Sequence, residues 1–148
     1  PEPQRSIFEE LVTSQLTELN IPGILLSGKP ESGKQPLIKE KLMILPHLPT
    51  EEMNSVLKSA SLVICRSGYS SIMDLYALGS KALFVPTPGQ TEQIYLAELH
   101  QKGGTTLWQK QEKMNLKADI DDALKYPGFS NGNIQISLSA AIADLKKK

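Results

Sequence analysis

Cysteine occurs once in the 148 residues, at Cys65, and aromatic residues make up only 5%. One cysteine excludes an internal disulfide and a thiolate zinc cluster, which fits a reducing compartment. Charge of either sign in excess is also missing: 16 Lys and Arg stand against 16 Asp and Glu. With no basic stripe and few rings to stack bases, no nucleic-acid partner is expected. The longest apolar runs, such as Leu42–Leu45 and Ala82–Pro86, fall far short of the roughly 20 residues of a membrane helix. No signal-peptide pattern opens the chain, so a cytoplasmic location is expected. A GxGxxG pattern is absent, which argues against a nicotinamide or flavin cofactor. His47 and His100 share no metal-ligand spacing with a carboxylate pair, so neither a metal nor a cofactor is expected.

What is present is a regular alternation. Ser6 and Glu9 suggest a capping box for a helix whose apolar face, Ile7, Phe8, Leu11, Val12, Leu16 and Leu19, runs to Ile21-Pro22. Short apolar runs at Gly23–Ser27, Leu42–Pro46, Leu62–Cys65 and Ala82–Pro86 read as buried strands, with an edge strand at Thr105–Trp108. Helical patterns lie between and after them: from Thr50 as a cap, over Ser70–Leu78 with Gly79 as a left-handed stop, over Thr91–Lys102, around Leu116–Lys125 and around Ile134–Lys146. Short strands alternating with helices predict one α/β domain with a Rossmann-like, doubly wound parallel sheet. A βα series should begin with a strand, yet this chain begins with a helix. The first strand therefore reads as missing, which predicts a fragment of a longer protein. It also predicts a sheet position near the middle that is empty or filled by another segment.

Two motifs that suggest chemistry have plainer explanations. Gly28 to Gln35 almost spells a phosphate-binding P-loop, but Gln35 replaces the hydroxyl residue that holds magnesium, and Pro36 follows where a helix should start. Asp119-Ile-Asp121 resembles a DxD metal signature but falls in the first turn of a helix, where acidic residues favour the helix dipole.

Ligands of doubly wound sheets bind beyond the carboxyl ends of the strands. After one such end, Arg66-Ser67-Gly68-Tyr69-Ser70-Ser71 offers small residues, hydroxyls and backbone N–H groups at a helix start, a means of gripping a phosphate without metal. One turn on, Asp74 can accept hydrogen bonds from two vicinal hydroxyls. After the next strand, Pro86-Thr87-Pro88-Gly89 forms a stiff turn delivering Gln90, Glu92 and Gln93, groups suited to sugar hydroxyls. Each has a bland alternative as a cap: Ser70 or Ser71, the latter with Asp74 as a capping box, and Thr91.

The segments Arg66–Asp74, Ala77–Pro86 and Gln90–Tyr95 resemble the carboxy-terminal, donor-binding domain of GT-B glycosyltransferases. The nearest group is glycosyltransferase family 28, typified by the N-acetylglucosaminyltransferases of peptidoglycan lipid intermediates. The resemblance is strongest over residues 42–108. It implies that the loop at His47 and Leu48 holds a uracil ring and that Ser67 to Ser70 face a diphosphate. Asp74 stands where the family has a Glu for the ribose, and Gln93 matches the first of two adjacent glutamines at the donor sugar, Ile94 replacing the second. The implied activity is metal-independent, inverting transfer from a UDP-sugar. The general base and acceptor site would lie on an amino-terminal domain or partner subunit, so no catalytic residue is assigned to this chain. Peripheral membrane association of the longer protein is a further implication. Two other readings are a UDP-sugar 2-epimerase, whose S-G-G-x-x-E-E type turn is absent, and a non-catalytic subunit that binds a sugar nucleotide or docks on a partner.

Overall fold

The computed structural model describes residues 2–29, 35–130 and 143. Along the chain run helix α1 (Gln4–Glu18), strands β1 (Gly23–Leu26), β2 (Leu37–Lys39) and β3 (Leu42–Leu45), and helix α2 (Thr50–Ser59). Strand β4 (Val63–Cys65), helix α3 (Tyr69–Leu78), strand β5 (Ala82–Phe84), helix α4 (Thr91–Lys102), strand β6 (Leu107–Trp108) and helix α5 (Leu116–Leu124) follow. The helix expected at Ile134–Lys146 and most of the P-loop-like turn fall outside the described residues.

The strands form two three-stranded sheets, ordered β1-β3-β2 and β4-β5-β6. All pairings are parallel except β2 with β3. Strand β2 was not expected: Pro36 and the charged Lys39-Glu40-Lys41 mask it in sequence, and its three residues are all exposed, as an edge strand permits. It folds back on β3 through a turn with Glu40 at φ 52°. Strands β1 and β4 do not pair, and each has a single strand neighbour among the described residues. One core nevertheless joins the sheets: Val12 and Leu16 of α1 lie with Leu42 of β3, Leu83 of β5 and Leu116 of α5, with Leu25 and Ile64 packed against them.

Strand β5 shows why helices flank both faces. Its residues alternate sides, so Leu83 faces the core under α1 and α5, whereas Ala82 and Phe84 join Ile72, Leu75 and Tyr76 of α3 and Ala97 of α4. Strand β1 is less covered than its apolar run suggests. Leu25 packs inward, but Ile24 is 46% exposed and pairs in register with Met43, which in turn pairs with Ile38. Apolar alternation alone cannot distinguish a strand buried on both faces from one covered on one.

Several expected caps are replaced. Helix α1 starts at Gln4, so Ser6 is inside it; the Glu2 carboxylate instead accepts from Ser6 N–H and Oγ at 3.3 and 2.9 Å. The Ser6 hydroxyl, aided by Arg5, holds the Glu2 carboxyl below its ordinary value. Helices α2, α3 and α4 begin behind Pro49, Gly68 and Gln90 with no side-chain cap, which makes Thr50, Ser70, Ser71 and Thr91 helical residues. A hydroxyl one position too late cannot reach back to the second and third helical N–H groups. Among the described helices only α5 has the reciprocal arrangement: Asn115 Oδ1 accepts from Ala118 N–H, and Asp119 Oδ2 accepts from Asn115 N–H at 2.7 Å. This binds Asp119 of the Asp-Ile-Asp pattern to capping. Gly79 ends α3 at φ 65°, as expected.

His100 lies 5% exposed among aromatic rings, with centroids 5.3 Å from Phe129 and 5.9 Å from Tyr76. Burial lowers its pKa below 6.5, so the folded state holds the neutral ring. The unfolded chain binds the proton more readily; the stability from a neutral His100 is present above about pH 6.5 and is lost as pH falls below it. Chemical denaturation at pH 7.5 and 5.5 should show wild type losing more stability than His100→Gln. Equal losses would assign the acid sensitivity to other groups.

Candidate donor-binding site

Among the segments that leave the carboxyl ends of parallel strands are the loops Pro46–Pro49 after β3, Arg66–Gly68 after β4 and Val85–Gln90 after β5. Because β4 and β5 are adjacent, the last two loops are neighbours, and Val85 N–H continues the ladder to the Cys65 carbonyl at 2.9 Å. Side chains then knit them together. Ser67, fully buried, donates from Oγ to the Gln93 carbonyl at 2.6 Å. Gln93 Oε1 accepts from Thr87 N–H at 2.8 Å. Arg66 Nη1 donates to the carbonyls of Val85 and Pro86 at 2.9 and 3.2 Å. The structure thus brings Arg66, Ser67 and Gln93 together by direct bonds, while spending the Ser67 hydroxyl and the Gln93 amide oxygen on the scaffold.

Around this knot, groups remain open to solvent. Helix α3 has Gly68 at its N-cap with no side-chain cap, so its first N–H groups lack the partners that interior helical residues have. Tyr69 is 53% exposed, and Ser70 and Asp74 are exposed beside it. Gly89, at φ 82°, turns the β5–α4 loop so that Gln90 and Glu92 are exposed at the start of α4. Chain neighbours aside, no atom of the described residues lies within 4 Å of a Cβ built on Gly68 or Gly89, which leaves the backbone open to approach at both turns. His47 is exposed and Leu48 half-buried on the loop after β3, in the other sheet. The arrangement offers main-chain N–H donors and a helix dipole to an anion, with Asp74, Gln90 and Glu92 as neutral or anionic partners for hydroxyls.

Sequence reasoning missed Gln111 and Gln4. Arg66 Nη2 donates to Gln111 Oε1 at 2.7 Å and to the Gln4 carbonyl at 3.1 Å, and Gln111 Nε2 donates to Gln4 Oε1 at 2.9 Å. No local pattern could signal these, because they link residues far apart in sequence. Burial lowers the Arg66 pKa to about 10, leaving it charged at neutral pH. Cys65 is no nucleophile: burial raises its thiol to about 12. An open cleft of about 860 Å³ lies between α1 and the β1–β3 region, lined by Glu9, Thr13, Thr17, Leu37 and Ile44 among others; it touches the β3 loop at Pro46 and includes no residue of the β4–α3 or β5–α4 loops. No helix among the described residues is long and apolar enough to cross a membrane.

The family model described as the glycosyltransferase family 28 C-terminal domain matches residues 9–148. Two curated UDP-N-acetylglucosamine--N-acetylmuramyl-(pentapeptide) pyrophosphoryl-undecaprenol N-acetylglucosamine transferases are similar to the chain. The one from Desulforudis audaxviator is 34% identical over 86 residues, 56% of this chain and 22% of that protein. The one from Flavobacterium psychrophilum is 34% identical over 100 residues, 66% of this chain and 24% of that protein. In fold, the chain is similar to the crystal structure of Acinetobacter baumannii MurG, with a TM-score of 0.64 at 18% identity over 89% of this chain and 45% of that one. The chain therefore spans about a quarter of the length of these curated relatives and under half of the solved structure.

Proposed function

Since the chain belongs to the glycosyltransferase family 28 C-terminal domain family, we propose that it is the nucleotide-sugar-binding domain of a glycosyltransferase, with a UDP-sugar as donor. The observation that carries this reading is the knot between the β4–α3 and β5–α4 loops, through Ser67, Gln93 and Arg66, which sets two helix starts side by side at the carboxyl ends of parallel strands. The start of α3 faces the diphosphate, Asp74 accepts from the ribose hydroxyls, and Gln90, Glu92 and the remaining Gln93 amide group bind the sugar. The loop at His47 and Leu48 takes the base. Similarity to two UDP-N-acetylglucosamine transferases supports uridine as that base.

Transfer in this reading is displacement at the anomeric carbon, with inversion and without a metal. As the glycosidic bond lengthens, negative charge gathers on the departing diphosphate. Fixed N–H dipoles at Gly68–Ser71 then interact more strongly with the transition state than with the bound donor, which is the condition for catalysis. The general base and the acceptor come from a part of the protein beyond this domain, or from a partner subunit. These 148 residues alone therefore carry no transferase activity, and the whole protein works at the cytoplasmic face of a membrane. Robust transfer by the domain alone would overturn this division of labour.

Titration of the 15N-labelled chain with UDP should shift the amide signals of Leu48, Ser67 to Asp74 and Gln93. Asp74→Ala should weaken binding about tenfold, the scale of a lost hydrogen bond to a charged group, while Asp74→Glu retains it. No shift at millimolar UDP would sink the proposal.

A further inference from the structure

We propose that Arg66 is the positioning residue of the site, a latch that holds the β5–α4 loop against the β4–α3 turn and against the start of α1; the proposal rests on the donor-binding reading above. One guanidinium serves three separate parts of the chain. Nη1 donates to the Val85 and Pro86 carbonyls, at the point where β5 becomes the loop, and Nη2 donates to the Gln4 carbonyl and to Gln111 Oε1. Gln111 closes the ring by donating to Gln4 Oε1. The cation lies 4.0 Å from the centroid of the Phe8 ring, so its flat face packs on α1 while its edge holds carbonyls.

The next residue in the chain extends the latch. Ser67 donates to the Gln93 carbonyl, and Gln93 Oε1 accepts from Thr87 N–H, two positions after Val85. Arg66 and Ser67 thus hold the β5–α4 loop from both of its ends, and the spacing between the starts of α3 and α4 depends on the pair. With all four terminal N–H groups of Arg66 committed to protein acceptors, its role is to place the groups that touch the donor. A lysine could supply the charge but not this planar fork with its stacked face.

The test compares wild type with Arg66→Met, Arg66→Lys and Gln111→Ala by amide hydrogen exchange and by UDP titration. Arg66→Met should speed exchange at Thr87 and Gln90 about tenfold or more, the response of a loop whose local opening has become easier, and should raise the UDP Kd at least tenfold. Arg66→Lys should restore neither. Rescue of UDP binding by lysine would mean that Arg66 acts by charge on the diphosphate, and would overturn the positioning role. So would a folded Arg66→Met with wild-type exchange at Thr87 and Gln90. If wild type itself fails to bind UDP, the donor-binding reading falls, yet the exchange data still decide whether the latch exists. Should Arg66→Met not fold, Gln111→Ala decides: faster exchange at the same amides supports the latch, and unchanged exchange overturns it.

Discussion

Phe84→Ala is expected to destabilise the fold by about 3–5 kcal/mol, the range for truncating a fully buried aromatic side chain. Phe84 is 0% exposed in the middle strand of its sheet, with ring centroids 5.8 Å from Phe129 and 6.1 Å from His100. Its neighbours are rings held by one another, including Tyr76 and Phe129 edge to face at 4.7 Å, so they cannot collapse easily into the space left. Phe84 is also the last residue of β5, and its carbonyl accepts from Gln109 N–H at 2.8 Å. The lost packing therefore lies directly under the β5–α4 loop. Guanidinium denaturation followed by circular dichroism measures the effect, and a loss below about 1 kcal/mol would show a core able to refill the cavity.

Gly128→Ala should cost about 2–3 kcal/mol, from strain at positive φ and from overpacking. Gly128 sits at φ 83°, and a Cβ built there lies 3.0 Å from both Lys81 Cα and the Ser80 carbonyl oxygen. Two backbone bonds fix it: Gly128 N–H to the Thr105 carbonyl at 3.1 Å and Phe129 N–H to the Ser80 carbonyl at 3.0 Å. Any relief of the clash must move Phe129, and with it the ring cluster around Phe84. Gly89→Ala is the control. Its φ of 82° carries similar strain, but nothing lies within 4 Å of the added carbon, so it should cost only about 1 kcal/mol. Thermal melts of the two variants separate strain from overpacking. Equal shifts would mean that the Ser80–Lys81 backbone yields to the methyl group. Phe84→Ala and Gly128→Ala should also combine non-additively, because both loosen the same rings.

Much of the candidate site was legible because its signals are local. A strand, a small-residue turn and a helix start can be read within about ten residues, and so Arg66–Asp74 and Pro86–Gln93 fall where the alternation puts them, at the ends of β4 and β5. Gly79 as the stop of α3 is equally local. The allocation of side chains inside the site was not legible. Arg66, Ser67 and Gln93 look alike as polar groups near a phosphate, but two of the bonds that engage them, to Gln4 and Gln111, come from segments 62 and 45 residues away in sequence. The caps failed for a related reason. Serine and threonine near a helix start are common, and a shift of one residue decides whether the hydroxyl reaches an N–H.

By itself the sequence determined the α/β alternation, the order of α1 to α5 with the strands other than β2, the two loops at the carboxyl ends of β4 and β5, and a resemblance to the family to which the chain belongs. The elements and loops follow from periodicity and turn chemistry within short windows, and the family resemblance from the motifs at Arg66–Asp74, Ala77–Pro86 and Gln90–Tyr95. Only the tertiary structure decided that the strands divide into two sheets around one core, that a charged, proline-led stretch adds antiparallel strand β2, and that one face of β1 stays open. It also decided that the arginine in the most suggestive motif bonds to the protein's own carbonyls. Each of these depends on which distant segments meet, and the free energy of such contacts is absent from any short stretch of chain.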